Sequence, residues 1–279
     1  MRREEKRKNP FLLSSIPVLI PGCLFLMLSY CLAPNGRRDV SDFRGKRYAH
    51  RGLHNATIPE NSLSAFRRAA EQGFGVELDV QMTKDKQLVV FHDGTLDRMC
   101  GREGNLRDYT YEELCKLNLK DSKEKIPLFA DVLKVLGQTD LVCELKSDNG
   151  SKNYELCEKT YAMLADYPGH FCIESFSPYL VRWFRRNHPE IIRGQLSCFM
   201  KDTGHGKLAE FQLTNLLTNV MTRPDFIAYE FRDAKRSIGF RIMRKLFDPF
   251  CVCWTPKGKD EITEASADFD TIIFEDDTL

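Results

Sequence analysis

The chain has 279 residues, 42% hydrophobic and 29% charged. That is enough for a sizeable core, and about 250 residues is a usual size for a single α/β barrel. Net charge is +1, from 41 Lys+Arg against 40 Asp+Glu; with no basic block carrying interleaved aromatics, nucleic acid is not an expected partner.

Residues 1–10 form a basic tail with Arg2, Arg3, Lys6, Arg7 and Lys8. An uncharged apolar run of 23 residues follows, from Phe11 to Ala33. A helix of roughly 20 such residues crosses a bilayer, and Pro17, Pro21 and Gly22 are tolerated there. We therefore expect residues 11–33 to be a transmembrane signal anchor. A cleaved signal peptide fits less well, because no small-x-small site follows. A lipoprotein signal at Leu28-Ser29-Tyr30-Cys31 is disfavoured by the bulk of Tyr30. The expected location is thus the cell membrane, single-pass. Arg37, Arg38, Arg44, Lys46 and Arg47 nearly balance the basic residues before the span. Opening as a signal anchor does, the chain is expected to place its domain outside the cytoplasm. The ten cysteines form no CxxC pair and no zinc-like spacing, which suits a reducing or anaerobic setting. Cys143, Cys172, Cys251 and Cys253 read as small buried hydrophobes.

Residues 34–46 are polar, with Pro34, Asn35, Gly36 and Gly45, and read as a linker. From 47 to 279 there is no second linker and no repeat, so one domain is expected. Short apolar strands are predicted at 47–50, 75–80, 87–92, 141–146, 171–175, 191–196, 225–230, 249–254 and 271–275. Helices alternate with most of them. One covers 61–72, capped by Asn61 or Ser62 and stopped at Gly73. Another covers 127–136 and stops at Gly137. A third covers 178–187, with Ser177 as cap and Pro178 in the first turn. This alternation predicts a TIM-type (β/α)8 barrel, with a doubly wound open sheet as the alternative. Nine strands are one too many for that barrel, and the link between 80 and 87 is too short for a helix. One segment is therefore expected to be a loop, and the barrel irregular at that point.

Active sites of such barrels gather at the C-terminal ends of strands, with alternate side chains pointing inward. Glu77 and Asp79 share one face of their strand, and Glu144 and Lys146 share one face of theirs. His50 ends the first strand. In Leu88-Val89-Val90-Phe91-His92, Leu88 and Val90 are expected to point inward, with His92 topping that row. Three carboxylates at one mouth repel each other unless a cation lies between them, and oxygen ligands suit Mg2+ or Ca2+. Arg51 and Lys146 then offer positive charge to an anion, and two histidines remain for proton transfer. Together these groups read as phosphodiester cleavage. Singly, each has a plainer reading: an exposed strand face, a structural histidine, a rim salt bridge of little worth.

The motifs Ala49-His50-Arg51-Gly52, Pro59-Glu60-Asn61-Ser62, Val76-Glu77-Leu78-Asp79-Val80, Thr83-Lys84-Asp85, Val89-Val90-Phe91-His92-Asp93, Leu96-x-Arg98, Ile126-Pro127-Leu128 and Cys143-Glu144-Leu145-Lys146 occur in order. In this series the chain resembles the glycerophosphodiester phosphodiesterase family, as a membrane-anchored, bacterial-type member. The resemblance is strongest from 47 to about 150 and continues through Glu174-Ser175-Phe176, Trp254-Thr255 and Ile272-Ile273-Phe274-Glu275. It implies a TIM-type barrel with a small insertion after strand three, at residues 93 to 126. It also implies one divalent metal ion, Mg2+ or Ca2+, on Glu77, Asp79 and Glu144. His50 and His92 would be the acid/base pair, Arg51 and Lys146 the phosphate ligands, and Trp254 an aromatic beside the substrate. The implied reaction releases sn-glycerol 3-phosphate and an alcohol from a glycerophosphodiester. A lysophospholipase D-like action on lysophospholipids is the alternative, and a non-catalytic, membrane-bound binding protein a third reading. Thr255-Pro256-Lys257 and Phe274-Glu275-Asp276-Asp277 depart from the family's usual endings, which leaves the alcohol open. His54 reads as loop structure, and Glu174 and Glu230 as weak candidates for substrate contacts.

Overall fold

The computed structural model describes residues 22–147, 152–201, 203–204 and 206–276. Among the described residues nine strands form one sheet: β1 (Arg47–Ala49), β2 (Gly75–Met82), β3 (Leu88–Val90), β4 (Leu141–Leu145), β5 (Phe171–Ser175), β6 (Arg193–Ser197), β7 (Phe226–Glu230), β8 (Phe250–Lys257) and β9 (Thr271–Glu275). Their order is β1-β9-β8-β7-β6-β5-β4-β2-β3, and β1 also pairs with β2. Eight parallel strands thus close into a ring, a TIM-type barrel.

The surplus strand is β3. All nine predicted strands exist, so the expected loop is not found. Instead, β3 folds back antiparallel on β2, Val80 opposite Val90, and stays outside the ring. A tight connection through Thr83 and Lys86 makes this possible; Lys86 N–H donates to the Thr83 carbonyl. Leu88 and Val90 therefore do not point into the barrel. They belong to the helix-side core with Val80, Phe129 and Val132. His92 reaches the mouth from the chain leaving β3.

Alternation along each strand sorts the remaining residues. Val76, Leu78 and Val80 of β2 face the helices, as do Cys143 and Leu145 of β4. Tyr48, Val142, Cys172, Ala228, Val252 and Ile273 fill the barrel interior below the mouth. Helices Leu63–Glu71, Phe129–Leu136 and Pro178–Asn187 match the expected spans. Ser62 caps the first, its Oγ accepting from Ala65 N–H. Ser177 stands at the cap of the third but makes no capping bond; its buried hydroxyl has no partner.

The stretch read as a linker packs under the barrel. Phe43 is buried with Tyr48, Phe226 and Phe250 at the floor, and Asn35 N–H donates to the Pro224 carbonyl at 2.8 Å. The expected membrane span lies outside the described residues from 11 to 21. Residues 22–32 are helical, and among the described residues no helix is long and apolar enough to cross a membrane. All described cysteines are free, with Cys143, Cys172, Cys251 and Cys253 buried as expected.

One turn fixes the approach to the mouth. Arg51 and Gly52 both have positive φ, 54° and 78°. A Cβ at Gly52 would lie 2.9 Å from the backbone carbon of Ala65. Gly52→Ala combines that clash with a left-handed backbone, so it should lower stability by about 2 kcal/mol or more. Chemical denaturation measures this, and an unchanged midpoint would contradict the close packing.

Candidate active site

The mouth is built from strand ends. Glu77 and Asp79 come from β2, Glu144 from β4 and Glu174 from β5, all of them buried. His50 and Arg51 follow β1, Lys146 follows β4, and Trp254 lies in β8. A cavity of about 30 Å³, room for an ion or a single water, is lined by His50, Arg51, Glu77, His92, Glu144 and Trp254, among others. Asp79 and Lys146 join it through ion pairs. All eight residues singled out in the sequence therefore meet at one place.

Glu77, Asp79 and Glu144 each offer a carboxylate oxygen, and these oxygens lie within 4.8 Å of one another. A divalent cation bonded to each at roughly 2.0–2.6 Å needs oxygens no more than about 5 Å apart. The donor set is all oxygen, and the three carboxylates are buried together. Both properties fit a hard divalent ion.

Burial first, and then Asp79, Glu144 and Glu174, raise the Glu77 carboxyl well above its ordinary range. Glu144 is raised mainly by burial, against the pull of Lys146. Glu174 is raised by burial and by Glu144, and its Oε2 has no partner. Asp79 goes the other way: burial opposes ionisation, but Lys146, His92 and Arg51 outweigh it. Lys146 Nζ lies 2.8 Å from Glu144 Oε2 and 2.9 Å from Asp79 Oδ1. The second contact is an ion pair rather than an aligned hydrogen bond, since Asp79 Oδ1 has no hydrogen-bond partner. Burial works against its charge, yet these two acids hold Lys146 protonated.

Arg51 is pinned from several sides. Its backbone N–H donates to Glu77 Oε2 at 2.9 Å and its Nη1 to Glu60 Oε1 at 2.7 Å. Asn61 Nδ2 donates to Asp79 Oδ2 at 2.8 Å. The Pro59-Glu60-Asn61 motif is thus explained: Glu60 orients Arg51, and Asn61 orients a candidate ligand. Arg98 bonds Glu60 through both Nη atoms at 2.7 Å. Despite burial, Arg98 and Arg51 lower the Glu60 carboxyl to about 2.

The histidines are held in parallel ways. His50 Nδ1 lies 2.6 Å from Glu275 Oε1, and Lys257 Nζ lies 2.5 Å from the other oxygen of Glu275. His92 Nδ1 lies 2.7 Å from Asp93 Oδ1, and Arg98 Nε donates to Asp93 Oδ2 at 2.6 Å. Each ring thus keeps its Nε2 for the site. Burial lowers the pKa of both; His92 falls to about 4, while Glu275 partly offsets the fall for His50. His54 Nε2 stands 4.0 Å from Glu275. Trp254 is set edge-on to Phe176 at 5.5 Å, and its buried indole N–H has no partner. Glu230 caps the helix Phe231–Ala234, accepting from Asp233 N–H.

Sequence reading did not assign Glu60, Asn61, Asp93, Arg98, Lys257 or Glu275 to the site. The first four and Glu275 lay within quoted motifs, and that was a usable signal. Glu275 lies 225 positions from His50, and no local pattern pairs them.

Fold and site together define a (β/α)8 barrel with a buried acidic cluster at its mouth. Residues 50–198 match the Glycerophosphoryl diester phosphodiesterase family, and the chain belongs to that family. A glycerophosphodiester phosphodiesterase of Caldanaerobacter subterraneus is 36% identical over 168 residues, covering 56% of this chain and 69% of the relative. Human glycerophosphodiester phosphodiesterase 1 is 30% identical over 200 residues, 67% of this chain and 57% of that protein. Among solved structures, an Oleispira antarctica phosphodiesterase in complex with the product sn-glycerol-3-phosphate aligns with TM-score 0.67 at 20% identity, covering 84% of this chain and 94% of that one. A Thermotoga maritima glycerophosphodiester phosphodiesterase aligns with TM-score 0.62 at 23% identity, covering 82% and 93%.

Replacing the Glu275 carboxylate by a neutral amide removes the partner that raises the His50 pKa. Glu275→Gln should therefore move the limb of the kcat/KM pH profile that His50 governs to lower pH, whether His50 is acid or base, with about a 10- to 100-fold loss of rate. A wild-type profile in this variant would contradict the orienting role.

Proposed function

We propose that the chain hydrolyses glycerophosphodiesters to sn-glycerol 3-phosphate and an alcohol. One divalent ion, Mg2+ or Ca2+, would be held by Glu77, Asp79 and Glu144. The observation that carries this reading is the convergence of three buried carboxylates, two cationic side chains and two histidines on one small cavity. The bound ion would neutralise phosphate charge and help to orient the ester.

The protein's own groups account for the rest. Arg51 has five N–H donors, and one Nη is committed to Glu60. Its Nε is buried 3.5 Å from Asp79 Oδ2, which leaves the Nη edge for phosphate oxygens. Lys146, held between Asp79 and Glu144, adds a buried positive charge to the site. One histidine takes the proton of the attacking hydroxyl and the other protonates the leaving alcohol; the attacker is water, or the substrate's glycerol 2-hydroxyl, in which case a cyclic phosphodiester forms and water then opens it to glycerol 3-phosphate. A neutral ring is the resting state of His92 near pH 7, given its pKa of about 4. The substrate's negative charge favours the protonated ring that the second role requires. The free indole N–H of Trp254 is a donor for the glycerol or alcohol portion.

A second reading is release of the head-group alcohol from lysophospholipids. A groove of about 640 Å³ favours it, lined by Phe176, Tyr179, Met200, Leu213, Leu217 and Met221. Phe176 both lines this groove and packs on Trp254, so the two sites adjoin. Human lysophospholipase D GDPD1 is 29% identical over 187 residues. Equal or better turnover of lysophosphatidylcholine than of glycerophosphocholine would favour this reading, and no turnover of the lipid would remove it.

The catalytic domain runs from 47 to 279, and residues 11–33 anchor it as a single-pass signal anchor, with the domain outside the cytoplasm. What supports the anchor is the uncharged apolar run and the exposure of Leu24, Phe25, Leu26 and Met27 at 51–68% on the described part of it.

With the full chain in detergent, release of glycerol 3-phosphate should require Mg2+ or Ca2+ and stop with EDTA. Glu77→Gln and His50→Ala should each lower kcat at least about 1,000-fold while keeping the folded circular-dichroism spectrum. Activity in EDTA, or within tenfold of wild type in either variant, would contradict the assignment.

A further inference from the structure

The foot of the barrel carries a second charged feature, remote from the mouth. A cleft of about 820 Å³ is lined there by Arg37, Arg38, Arg185, Arg193 and Arg223, with Asp39 as the acid in its wall. Arg193 opens β6 and Arg223 lies just before β7, so the cleft is at the N-terminal ends of the strands. The mouth is at the opposite ends, about 17 Å away along a five-residue strand.

Among the described residues, most of this positive charge is not cancelled locally. Arg193 is 4% exposed and faces the fully buried Asp225 at 3.4 Å, but its Nε has no partner. Three of the other guanidiniums, those of Arg38, Arg185 and Arg223, are held by carbonyl groups, which position them without neutralising them. Arg223 Nη1 donates to the carbonyls of Tyr30 and Ala33 at 2.9 and 2.7 Å. Arg185 Nη1 donates to the Met221 carbonyl at 2.8 Å, and Arg38 donates to the Pro189 carbonyl. Five positive charges thus meet two negative ones, those of Asp39 and Asp225. Burial lowers the pKa of Arg185, and Arg223 adds to the effect. Burial likewise lowers Arg193, with Asp225 opposing and Arg38 and Arg185 reinforcing. Arginines gathered this way suit a phosphate, whose oxygens accept several charge-assisted bonds at once.

The position of the cleft selects the source of that phosphate. Tyr30 and Ala33, the last residues of the apolar segment, are part of its wall. Leu32 is buried against Leu216, Ile227 and Tyr229 of the domain, and Asn219 Nδ2 donates to the Leu32 carbonyl at 2.9 Å. The end of the segment is therefore fixed to the barrel. If residues 11–33 insert in a bilayer, the cleft stands at head-group level. The exposed ring of Tyr30, with Arg223 4.3 Å above it, has the amphipathic character that favours a membrane interface.

We propose that this cleft binds the phosphate of an anionic phospholipid head group, which seats the foot of the barrel on the membrane and turns the mouth toward water. The inference rests on the anchoring inferred above for residues 11–33, and it makes the accessible substrate a water-soluble glycerophosphodiester.

The test uses the full chain with vesicles and nanodiscs of phosphatidylcholine alone or mixed with phosphatidylglycerol. Flotation with phosphatidylcholine vesicles reports the anchor. Hydrogen exchange in segments 34–39, 185–193 and 218–224 reports the cleft. We expect exchange about fivefold or more slower when phosphatidylglycerol is present. The difference should disappear in the double variant Arg37→Ala/Arg38→Ala, with flotation and catalytic rate unchanged. Equal exchange in the two lipids, with flotation intact, overturns the cleft and leaves the anchor. Equal slowing by millimolar inorganic phosphate in phosphatidylcholine overturns the lipid source. Flotation with neither lipid overturns both.

Discussion

Three carboxylates forced into one buried spot are the constraint on which the rest of this structure depends. Glu77 and Asp79 are two residues apart on β2, and Glu144 sits beside them in register, with Asp79 paired to Glu144. Parallel pairing leaves these side chains no alternative but the barrel interior. Burying such a cluster is costly without compensation. Lys146 provides part of it, and burial together with the neighbouring carboxylates raises the pKa of Glu77 and Glu144, which eases their protonation. A divalent cation would compensate the cluster more fully, and this makes the site a natural place to receive one.

Around this cluster the structure repeats one device. Each histidine is fixed by a carboxylate, and each carboxylate is held by a cation: His50 by Glu275 and Lys257, His92 by Asp93 and Arg98. Arg51 is fixed in the same manner by Glu60, itself gripped by Arg98. Such chains restrict the rotamers of His50, His92 and Arg51 before any ligand arrives, the preorganisation that a rigid scaffold provides. Arg98 serves two of these chains from the inserted segment, so that insertion supports the site.

Much of this was readable in the sequence, for identifiable reasons. Period-two alternation in Val76–Val80 and Leu141–Lys146 put the acids on one face, and strand C-termini are where barrels place their chemistry. All nine strands could be read from their apolar runs. Membership of the ring could not, because an antiparallel hairpin and a barrel strand share the same local pattern. The five-residue connection before Leu88 was the available clue, and it marked the irregular place correctly. Ser177 shows a similar limit: sequence placed it at a helix cap, but the tertiary surroundings left its hydroxyl without the capping bond. The supports least visible were those joined over long spans, such as Glu275 to His50, where closure of the ring between β9 and β1 brings the partners together. The arginine cleft was invisible for the same reason, since its members come from four separate segments.

The most direct test of this account is calorimetric titration of the full chain with Mg2+ and Ca2+ near pH 7, in buffers of different ionisation enthalpy. Carboxyls held above their ordinary range must lose protons when a cation takes their place. The account predicts about one equivalent of bound ion with a heat that changes with the buffer, lost in Glu77→Gln. Absence of binding, or binding with no proton release that survives in Glu77→Gln, would contradict it.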